Sequence, residues 1–404
     1  MTTDAGLLLV GLRCVLCGTA HRPTIDASVC PRHDGLAGIL DVVIPAAGAR
    51  SGAGDDPLDR YRSQLPLPPG PRRLPSGYLT TTPLLPAPRL AADLGVAELL
   101  IKDESRNPTG SLKDRSSALA VELAAHAGFT DIACASTGNA ASSLAGACAA
   151  VGLTARIFVP AATPPGKLAQ LAAFGAEVML VRGSYDDAYY LCEEAAHAFG
   201  WYDRNCAVNP YLMEGKKTCA LEIADQLGNA GADWVSVAVG DGCTVAALGK
   251  GLAEMRLPRT PRLLAVQPAG AAPIADAWAR GDENAVPVTA NTLADSVSVG
   301  APRNAVKALR AVRAGGGAFV TVTDDEILEA ARILGTRAGV FAEPGAAAGI
   351  AGVRRARAEG LIGPDDRVVH VVTGSGLKTA APVGAAFPEI APTLDAVRAV
   401  VDLG

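Results

Sequence analysis

Between Ser116 and Phe199 the sequence alternates between stretches with helical patterning and short apolar runs typical of strands. Parallel strands need a long crossover connection between them, and a helix usually supplies it. Regular alternation of this kind therefore predicts an α/β fold in which helices cover both faces of a parallel sheet. The predicted strands are 131–135, 155–159 and 177–181, and the predicted helices are 116–127, 140–150, 167–174 and 186–199.

Three polar loops that contain glycine follow predicted strands. In open α/β sheets, ligands bind outside the carboxyl ends of the strands, so these loops are candidates for a binding site. The loops are 136–139, 240–244 and 373–376, which follow the apolar runs 131–135, 234–239 and 368–372.

Each loop has groups suited to a different part of a ligand. The 240–244 loop, Gly-Asp-Gly-Cys-Thr, precedes a predicted helix, so its N–H groups are suited to a phosphate. A plain turn is the alternative, because neither the dinucleotide fingerprint nor a P-loop is complete. The 136–139 loop, Ser-Thr-Gly-Asn, offers donors to a carboxylate or a ring oxygen, or caps a helix. Thr373 or Ser375 could bind a ring nitrogen.

The segment 107–115, Asn-Pro-Thr-Gly-Ser-Leu-Lys-Asp-Arg, connects a predicted strand at 98–102 to the first predicted helix. Ser111 is the predicted N-cap of that helix. Lys113 then lies near the positive end of the helix dipole, and with Arg115 nearby we expect its pKa to be lowered. A lysine with a neutral amine is a nucleophile suited to Schiff-base chemistry. The alternative is a solvated surface charge.

Four potential metal ligands lie near the N-terminus as two knuckles, Cys-x2-Cys and Cys-x2-His. Thiolates and an imidazole suit tetrahedral zinc, and so short a segment has too little core to fold without such support. The spacing predicts a structural zinc ribbon, and a degenerate ribbon without metal is the alternative. The predicted ligands are Cys14, Cys17, Cys30 and His33.

Composition limits the classes of function. The chain of 404 residues is 49% hydrophobic, and we expect two lobes with an appendage. With 36 basic and 41 acidic residues and no long basic block, no nucleic-acid partner is expected. Asp4 precedes a short apolar run at 7–10 and no 18-residue apolar span follows, so we expect neither a signal peptide nor a membrane helix. Six of the nine cysteines are scattered, which favours reduced thiols in a cytoplasm.

An ordered series of motifs between residues 59 and 380 resembles threonine synthase and the wider fold-type II, or tryptophan-synthase-beta, class of pyridoxal-phosphate enzymes. A series this long is far more specific than any one motif. The motifs are Arg60-Tyr61-Arg62, Thr82-Pro83-Leu84, Lys102-Asp103-Glu104, the 107–115 turn, Asn209-Pro210, Glu214-Gly215-Lys216-Lys217-Thr218, Glu343-Pro344 and Thr373-Gly374-Ser375-Gly376-Leu377-Lys378.

The resemblance implies a two-lobed α/β fold with parallel and mixed twisted sheets flanked by helices. It implies pyridoxal 5'-phosphate as cofactor, an amino acid as the small-molecule substrate and a homodimer as the assembly. The implied division is a zinc-ribbon-like segment at 1–45, a Pro/Gly-rich linker or arm at 46–77, a large lobe from 78–115 and 213–404, and a small lobe at 116–212.

The resemblance also implies a role for each site residue. Lys113 would hold the cofactor as a Schiff base and later move protons, Asn139 would bind the ring hydroxyl, and Thr373 would face the pyridine nitrogen. Zinc ribbons occur in some relatives, which supports the four N-terminal ligands. The cofactor phosphate would be bound by Gly240, Asp241, Gly242, Cys243 and Thr244, and the substrate carboxylate by Ser136, Thr137 and Gly138.

Threonine synthases eliminate phosphate from O-phosphohomoserine and add water to give threonine, and this lyase reaction is the expected function. Three departures bear on the substrate. Leu212 stands where the family has an arginine that binds the substrate phosphate, Lys216 stands where the family usually has Gln, and Leu112 stands where it usually has Phe. Lys216, Lys217 or Arg303 could replace part of the missing charge.

Two alternatives follow from these departures. The first is a β-elimination or β-replacement enzyme that acts on serine, threonine or a modified amino acid, in a pocket made more apolar by residues 211–213. The second is a scaffold or ligand sensor without activity. Retention of Lys113, Asn139 and Thr373 argues against the second, because a scaffold does not need a nucleophilic lysine.

Overall fold

The computed structural model describes residues 11–25, 29–33, 35–44, 54–379 and 387–401. Two parts of the sequence analysis lie outside the described residues. They are Asp4 with the apolar run at 7–10, from which no signal peptide was expected, and residues 46–53 of the predicted linker. The strands are β1 Gly11–Cys14, β2 Ala20–His21, β3 Leu40–Val43, β4 Leu84–Pro86, β5 Glu98–Asp103, β6 Asp131–Ala135, β7 Thr154–Pro160, β8 Glu177–Val181, β9 Tyr202–Asp203, β10 Trp234–Ala238, β11 Arg262–Pro268, β12 Ala318–Val322 and β13 Arg367–Val372.

Helices alternate with most of these strands, which confirms the α/β class. Two predicted strands, 131–135 and 177–181, have the predicted bounds. The helices are α1 Pro57–Arg60, α2 Pro88–Leu94, α3 Lys113–His126, α4 Asn139–Val151, α5 Pro165–Ala173, α6 Tyr185–Phe199, α7 Leu212–Leu227, α8 Cys243–Glu254, α9 Pro273–Ala279, α10 Ala305–Ala314, α11 Asp324–Ile333, α12 Pro344–Ala358 and α13 Leu394–Val401.

The larger sheet has six strands in the order β12-β11-β10-β13-β5-β4. All neighbours are parallel except β4, which pairs antiparallel with β5 at the edge. The central strands β10 and β13 are buried along almost their whole length, as expected for strands covered on both faces. Because β10, β13 and β5 are parallel neighbours, their carboxyl ends bring the 240–244 loop, the 373–376 loop and the lysine turn to one edge.

A second sheet, with four parallel strands in the order β8-β7-β6-β9, lies within residues 131–203. The 136–139 loop follows β6, so this sheet contributes the fourth candidate segment. Helices α3 and α7 pack against each other beside it. The proposed lobe boundaries remain a prediction.

The N-terminal segment forms a small antiparallel sheet, β2-β1-β3, that is anchored to the body. The Lys250 ammonium of α8 donates to the Val42 carbonyl at 2.5 Å, and the Lys307 ammonium of α10 donates to the Leu40 carbonyl at 2.5 Å. Among the described residues, no helix combines the length and the apolar composition needed to cross a membrane.

Candidate active site

A cleft opens at the carboxyl ends of β10, β13 and β5. Clefts at this position in an open α/β sheet are where cofactors and small ligands bind. Eight residues singled out in the sequence line it, namely Lys113, Asn139, Gly240, Asp241, Gly242, Cys243, Thr244 and Thr373. The other lining residues are Leu112, Cys206, Ala238, Val239, Val245, Ser296, Val297, Val299 and Glu343.

Lys113 is the first residue of α3, and the turn before it is held by the loop after β13. The Leu112 N–H donates to the Thr373 carbonyl at 2.9 Å, and the Ser375 N–H donates to the Gly110 carbonyl at 3.0 Å. The prediction that Ser111 caps the helix is wrong. Leu112 occupies the N-cap position and no side chain bonds the helix end there, because Ser111 pairs with the 373–376 loop instead.

Lys113 is half-buried at the cleft, and its surroundings disfavour its charge. Burial, followed by the positive charge of Lys216, lowers the pKa of Lys113 to about 8. The direction agrees with the expectation, but the expected contribution of Arg115 is wrong. The Arg115 guanidinium turns away into the protein, where it donates to Glu104 and Glu222, each at 2.6 Å. The amine therefore reaches its neutral, nucleophilic form closer to neutral pH than an exposed lysine does.

Buried carboxylates hold the lysine turn in place. Burial alone would raise the pKa of Glu104, but the adjacent Arg115 outweighs it and holds that pKa at about 2. Glu222 accepts from Arg115 and from the Lys102 ammonium, which lies 2.6 Å away. The Asp114 carboxylate accepts from the Thr109 N–H and hydroxyl at 3.0 and 2.8 Å. These bonds connect β5, α3 and α7, so the position of Lys113 depends on all three.

Asn139 begins α4 and faces a carboxylate that the site prediction lacked. Its Nδ2 lies 3.1 Å from both carboxylate oxygens of Glu343, which is the N-cap residue of α12. Burial raises the pKa of Glu343. A Cβ at Gly374 would lie 2.5 Å from this carboxylate, so only glycine fits there. The Glu343-Pro344 motif was the sequence signal that could have identified this residue.

The 240–244 loop turns sharply into α8. Gly242 has a φ of +90°, and a Cβ there would lie 2.8 Å from the Asn304 carbonyl, so the loop requires glycine. Burial raises the pKa of Asp241 to about 7, and its carboxylate accepts from the Arg303 N–H at 2.6 Å and from Asn304 at 3.0 Å. The Asp241 side chain thus supports the loop, while the first N–H groups of α8 are free of intrahelical partners.

The site prediction lacked Cys206, which lines the cleft, and Lys216, which lies behind the lining residue Cys243. The Lys216 ammonium lies 2.9 Å from the Cys243 sulfur, and both side chains are buried. A hydrogen bond from the Cys206 thiol, together with Lys216, holds the pKa of Cys243 well below its ordinary value. The Cys243 thiol therefore ionises more readily than an ordinary cysteine, and the Lys216 ammonium is the cation beside it.

The predicted carboxylate-binding residues Ser136, Thr137 and Gly138 are half-buried and are not among the described residues that line the cleft. Gly138 is the N-cap residue of α4, and its N–H donates to the Ser136 hydroxyl at 3.2 Å. Asn139, the next residue, lines the cleft, so this loop borders it.

The four predicted metal ligands come together at the N-terminal sheet. One ligand atom from each residue lies within 4.8 Å of the others, a spacing that a single tetrahedral ion can bridge after small adjustments. A Cβ at Gly38 would lie 2.8 Å from the Cys30 carbonyl, so the second knuckle closes only around glycine. The ligand atoms belong to Cys14, Cys17, Cys30 and His33.

The residues of the cleft fit pyridoxal phosphate. An amine of lowered pKa suits its aldehyde, and the N-terminus of α8 suits its phosphate. Asn139 and Thr373 supply polar side chains for the ring in the same cleft. Lys113 is therefore the residue to which the cofactor would be attached.

Comparison with known proteins agrees with this fit. Residues 76–374 match the family described as "Pyridoxal-phosphate dependent enzyme". The threonine synthase of Methanocaldococcus jannaschii is 35% identical over 379 residues, which is 91% of this chain and 92% of that protein. The threonine synthase of Synechocystis sp. is 39% identical over 303 residues, which is 74% of this chain and 76% of that protein.

Solved structures agree on the fold. The processed form of threonine deaminase isoform 2 from Solanum lycopersicum has a TM-score of 0.67 and covers 85% of this chain and 100% of its own. At 22% identity this likeness concerns the fold alone. The family match, the threonine synthase relatives and the fold lead to the same conclusion. The chain belongs to the pyridoxal-phosphate-dependent enzymes, as a threonine synthase-like lyase of fold type II.

Proposed function

We propose that this enzyme releases phosphate from O-phosphohomoserine and adds water to give threonine. The observation that carries the proposal is that all eight predicted cofactor contacts, Lys113 among them, line one cleft. The threonine synthases of two organisms match along most of this chain, which supports the choice of reaction.

When bound, pyridoxal phosphate would withdraw electrons from the substrate carbon that loses its proton. The Lys113 amine, with a pKa near 8, is suited to take up and return that proton at its Nζ atom. Asn139, held by Glu343, would orient the ring through its hydroxyl. Thr373 would face the ring nitrogen as a neutral hydroxyl, and the 240–244 loop would bind the cofactor phosphate at the N-terminus of α8.

Substrate recognition would come from the border of the cleft. Ser136, Thr137 and Gly138 would bind the substrate carboxylate, for which their loop offers hydroxyl and N–H donors. Because Gly138 already caps α4, these donors are fixed in position before substrate arrives. The water-excluding walls would be the apolar residues Leu112, Val297 and Val299.

One observation favours a second candidate, a β-elimination enzyme that acts on an amino acid without phosphate. Leu212 is buried in the apolar core, so position 212 supplies no charge to the cleft. The apolar pocket suggested for residues 211–213 does not support this candidate, because none of the three is among the described residues that line the cleft.

A parallel assay separates the two candidates. Cofactor-loaded protein is given O-phospho-L-homoserine, with phosphate and threonine as products, or L-threonine, with 2-oxobutyrate as product. Equal amounts of phosphate and threonine support the proposal, and 2-oxobutyrate without phosphate release supports the alternative. Lys113→Ala should lose at least about a hundredfold in rate. Arg332→Ala, which changes an exposed cation on α11, should retain full activity.

We further propose that the N-terminal cluster holds one structural zinc ion, and that the enzyme is a cytoplasmic homodimer. The proximity of four ligand atoms supports the zinc site. All nine cysteines are free thiols, which supports a reducing compartment. Elemental analysis, fractionation and light scattering would test the three statements.

A further inference from the structure

Position 212, where an arginine is expected to bind the substrate phosphate, is a leucine. A cation that binds this phosphate must therefore come from another position. Leu212 is buried among apolar side chains and is not one of the described residues at the cleft. Lys217 follows Lys216 in α7 but is buried against carboxylates, at 2.5 Å from Glu214 and 2.8 Å from Glu254. Its charge is already neutralised, so Lys217 is unsuited to a further anion.

Arg303 is also engaged elsewhere. Its guanidinium lies over the ring of Tyr189, 4.1 Å from the centroid, and 3.6 Å from a carboxylate oxygen of Asp186. The stacked geometry fixes the side chain against α6. Of the three cations that the sequence offered, Lys216 alone has its charged group in contact with a side chain that lines the cleft, since Arg303 contacts Asp241 only through its backbone N–H.

Lys216 has an unusual partner for a buried ammonium. Its Nζ lies 2.9 Å from the Cys243 sulfur, and among the residues that the structure describes no carboxylate forms an ion pair with it. Burial disfavours the ammonium, but the sulfurs of Cys243 and Cys206 together outweigh burial and raise the pKa of Lys216. Among the described residues, the group that contacts the ammonium is thus a sulfur, and a thiolate there can be neutralised by taking up a proton.

A second buried cation, Arg204, lies near Lys216. Arg204 donates to the hydroxyls of Ser116 and Ser117 at 3.1 to 3.3 Å, and these are neutral partners. Its charge disfavours the ammonium forms of both Lys113 and Lys216. An anionic ligand beside Lys216 would relieve this repulsion.

We propose that Lys216 binds a phosphate monoester dianion in the cleft, and that Cys243 is the counter-ion which this phosphate displaces. Lys216 then pairs with the phosphate, and the Cys243 thiolate takes up one proton from solvent because a second anion beside it disfavours its charge. The inference rests on the proposed function, in which the phosphate comes either from the cofactor or from the amino-acid substrate.

The first experiment tests the cofactor as the source. Pyridoxal 5'-phosphate and pyridoxal are titrated into the full chain after cofactor removal, for wild type, Lys216→Gln and the exposed-charge control Arg332→Gln. If Lys216 binds the cofactor phosphate, Lys216→Gln weakens pyridoxal 5'-phosphate about ten- to a hundredfold and leaves pyridoxal within about twofold. Arg332→Gln should match wild type for both, and Lys216→Arg should retain most of the affinity.

The second experiment tests the substrate as the source. O-phospho-L-homoserine and L-homoserine are titrated into cofactor-loaded protein, with cofactor absorbance as the readout of binding. If Lys216 binds the substrate phosphate, Lys216→Gln weakens O-phospho-L-homoserine about ten- to a hundredfold while affinity for pyridoxal 5'-phosphate is retained. L-homoserine should bind both proteins equally.

A third readout follows Cys243 directly and needs no activity. Iodoacetamide is added to the cofactor-free chain, where the thiolate sulfur bonds to the methylene carbon and iodide leaves, and peptide mass spectrometry measures the rate at Cys243. Inorganic phosphate should slow this alkylation about tenfold or more in wild type, because protonated Cys243 is a poor nucleophile. In Lys216→Gln the phosphate effect should disappear, and Cys243→Ser gives the background.

The outcomes separate the inference from the proposed function. If Lys216→Gln folds as wild type does by circular dichroism and leaves both affinities and the phosphate effect unchanged, the inference is wrong and the cofactor proposal stands. If wild type binds no pyridoxal 5'-phosphate but phosphate still protects Cys243 in a manner that depends on Lys216, the proposed function is wrong and the inference stands.

Discussion

Lys113 lines the cleft and Lys216 lies behind it against Cys243, and the charge of Lys216 disfavours the ammonium form of Lys113. Burial is the larger influence, and together they lower the pKa of Lys113 to about 8. The neighbouring sulfurs of Cys206 and Cys243 act in the opposite direction, and Arg204 adds to the lowering. The reactivity of the lysine is thus set by side chains from α7, α8 and the 204–206 segment as well as by its own turn.

Replacing Lys216 should therefore change the pH dependence of cofactor capture. The neutral amine attacks an aldehyde, so the capture rate in wild type should rise with pH and level off above about 8. Lys216→Gln removes a positive charge, which stabilises the Lys113 ammonium and moves the midpoint to higher pH. Stopped-flow absorbance measures the shift of this midpoint. The measurement covers about pH 6 to 10, the range in which amines of this kind titrate. An unchanged midpoint would contradict the assigned cause.

Local sequence patterns predicted the position of Lys113 correctly but not the contacts of Ser111 and Arg115. The turn chemistry around Lys113 predicted a lysine at a helix start, and the structure places it as the first residue of α3. The cap assigned to Ser111 was wrong because the backbone there pairs with Gly374, which is distant in the sequence. Arg115 was misplaced for a similar reason, since its carboxylate partner Glu222 comes from another helix.

At the scale of elements, α3 and α7 are packed with almost no space between their backbones. A Cβ at Gly215 of α7 would overlap the Arg115 carbonyl of α3. The same contact region contains the buried Arg115 guanidinium with Glu104 and Glu222 on either side. Lys113 begins α3, so this packing determines how far its amine extends into the cleft.

Breaking this buried cluster should be costly. Arg115→Met leaves Glu104 and Glu222 without their strongest partner in a water-free region, which typically costs about 3–5 kcal/mol in the free energy of unfolding. Urea denaturation followed by circular dichroism gives the value. Arg332→Met, at an exposed pair with Glu329, is the matched control and should change stability little. Equal stabilities for the two variants would show that the cluster contributes nothing beyond an exposed pair.

Element positions were the most predictable part of the fold. Strands β6 and β8 have the bounds predicted from the sequence, because the pattern that identifies a strand lies in residues next to one another. The order of strands in the larger sheet, β12-β11-β10-β13-β5-β4, could not be obtained from such patterns. Pairing of β13 with both β10 and β5 depends on contacts between segments more than a hundred residues apart.

At the scale of the whole molecule, the N-terminal sheet is connected to the two helices that border the cleft. Lys250 extends from α8, which begins at the 240–244 loop, and bonds Asp41 and Val42. Lys307 extends from α10, which follows Asn304, the residue that bonds Asp241. A metal ion bound by the Cys/His cluster would therefore stabilise a segment that contacts both helices supporting the 240–244 loop.

Removal of the metal should lower the stability of the whole chain. A chelator that strips zinc should decrease Tm by at least about 2–4 °C, because the small sheet lacks a core of its own. Differential scanning calorimetry with and without chelator measures the change, and elemental analysis gives the metal content. His33→Ala should bind less zinc and respond less to chelator. A wild-type protein free of zinc and indifferent to chelator would contradict the metal site.

The sequence alone was sufficient to predict the α/β class, the lysine turn, the three loops and the metal knuckles, because each of these features consists of residues that are close along the chain. Tertiary structure alone decided which of these share one cleft. It brought Asn139 to Glu343 across 204 residues and Lys216 to Cys243 across 27. It also placed Leu212 in the core. These features depend on how distant segments pack and on the exclusion of water, which together change the free energy of each charged side chain. Such effects cannot be predicted from a local sequence pattern.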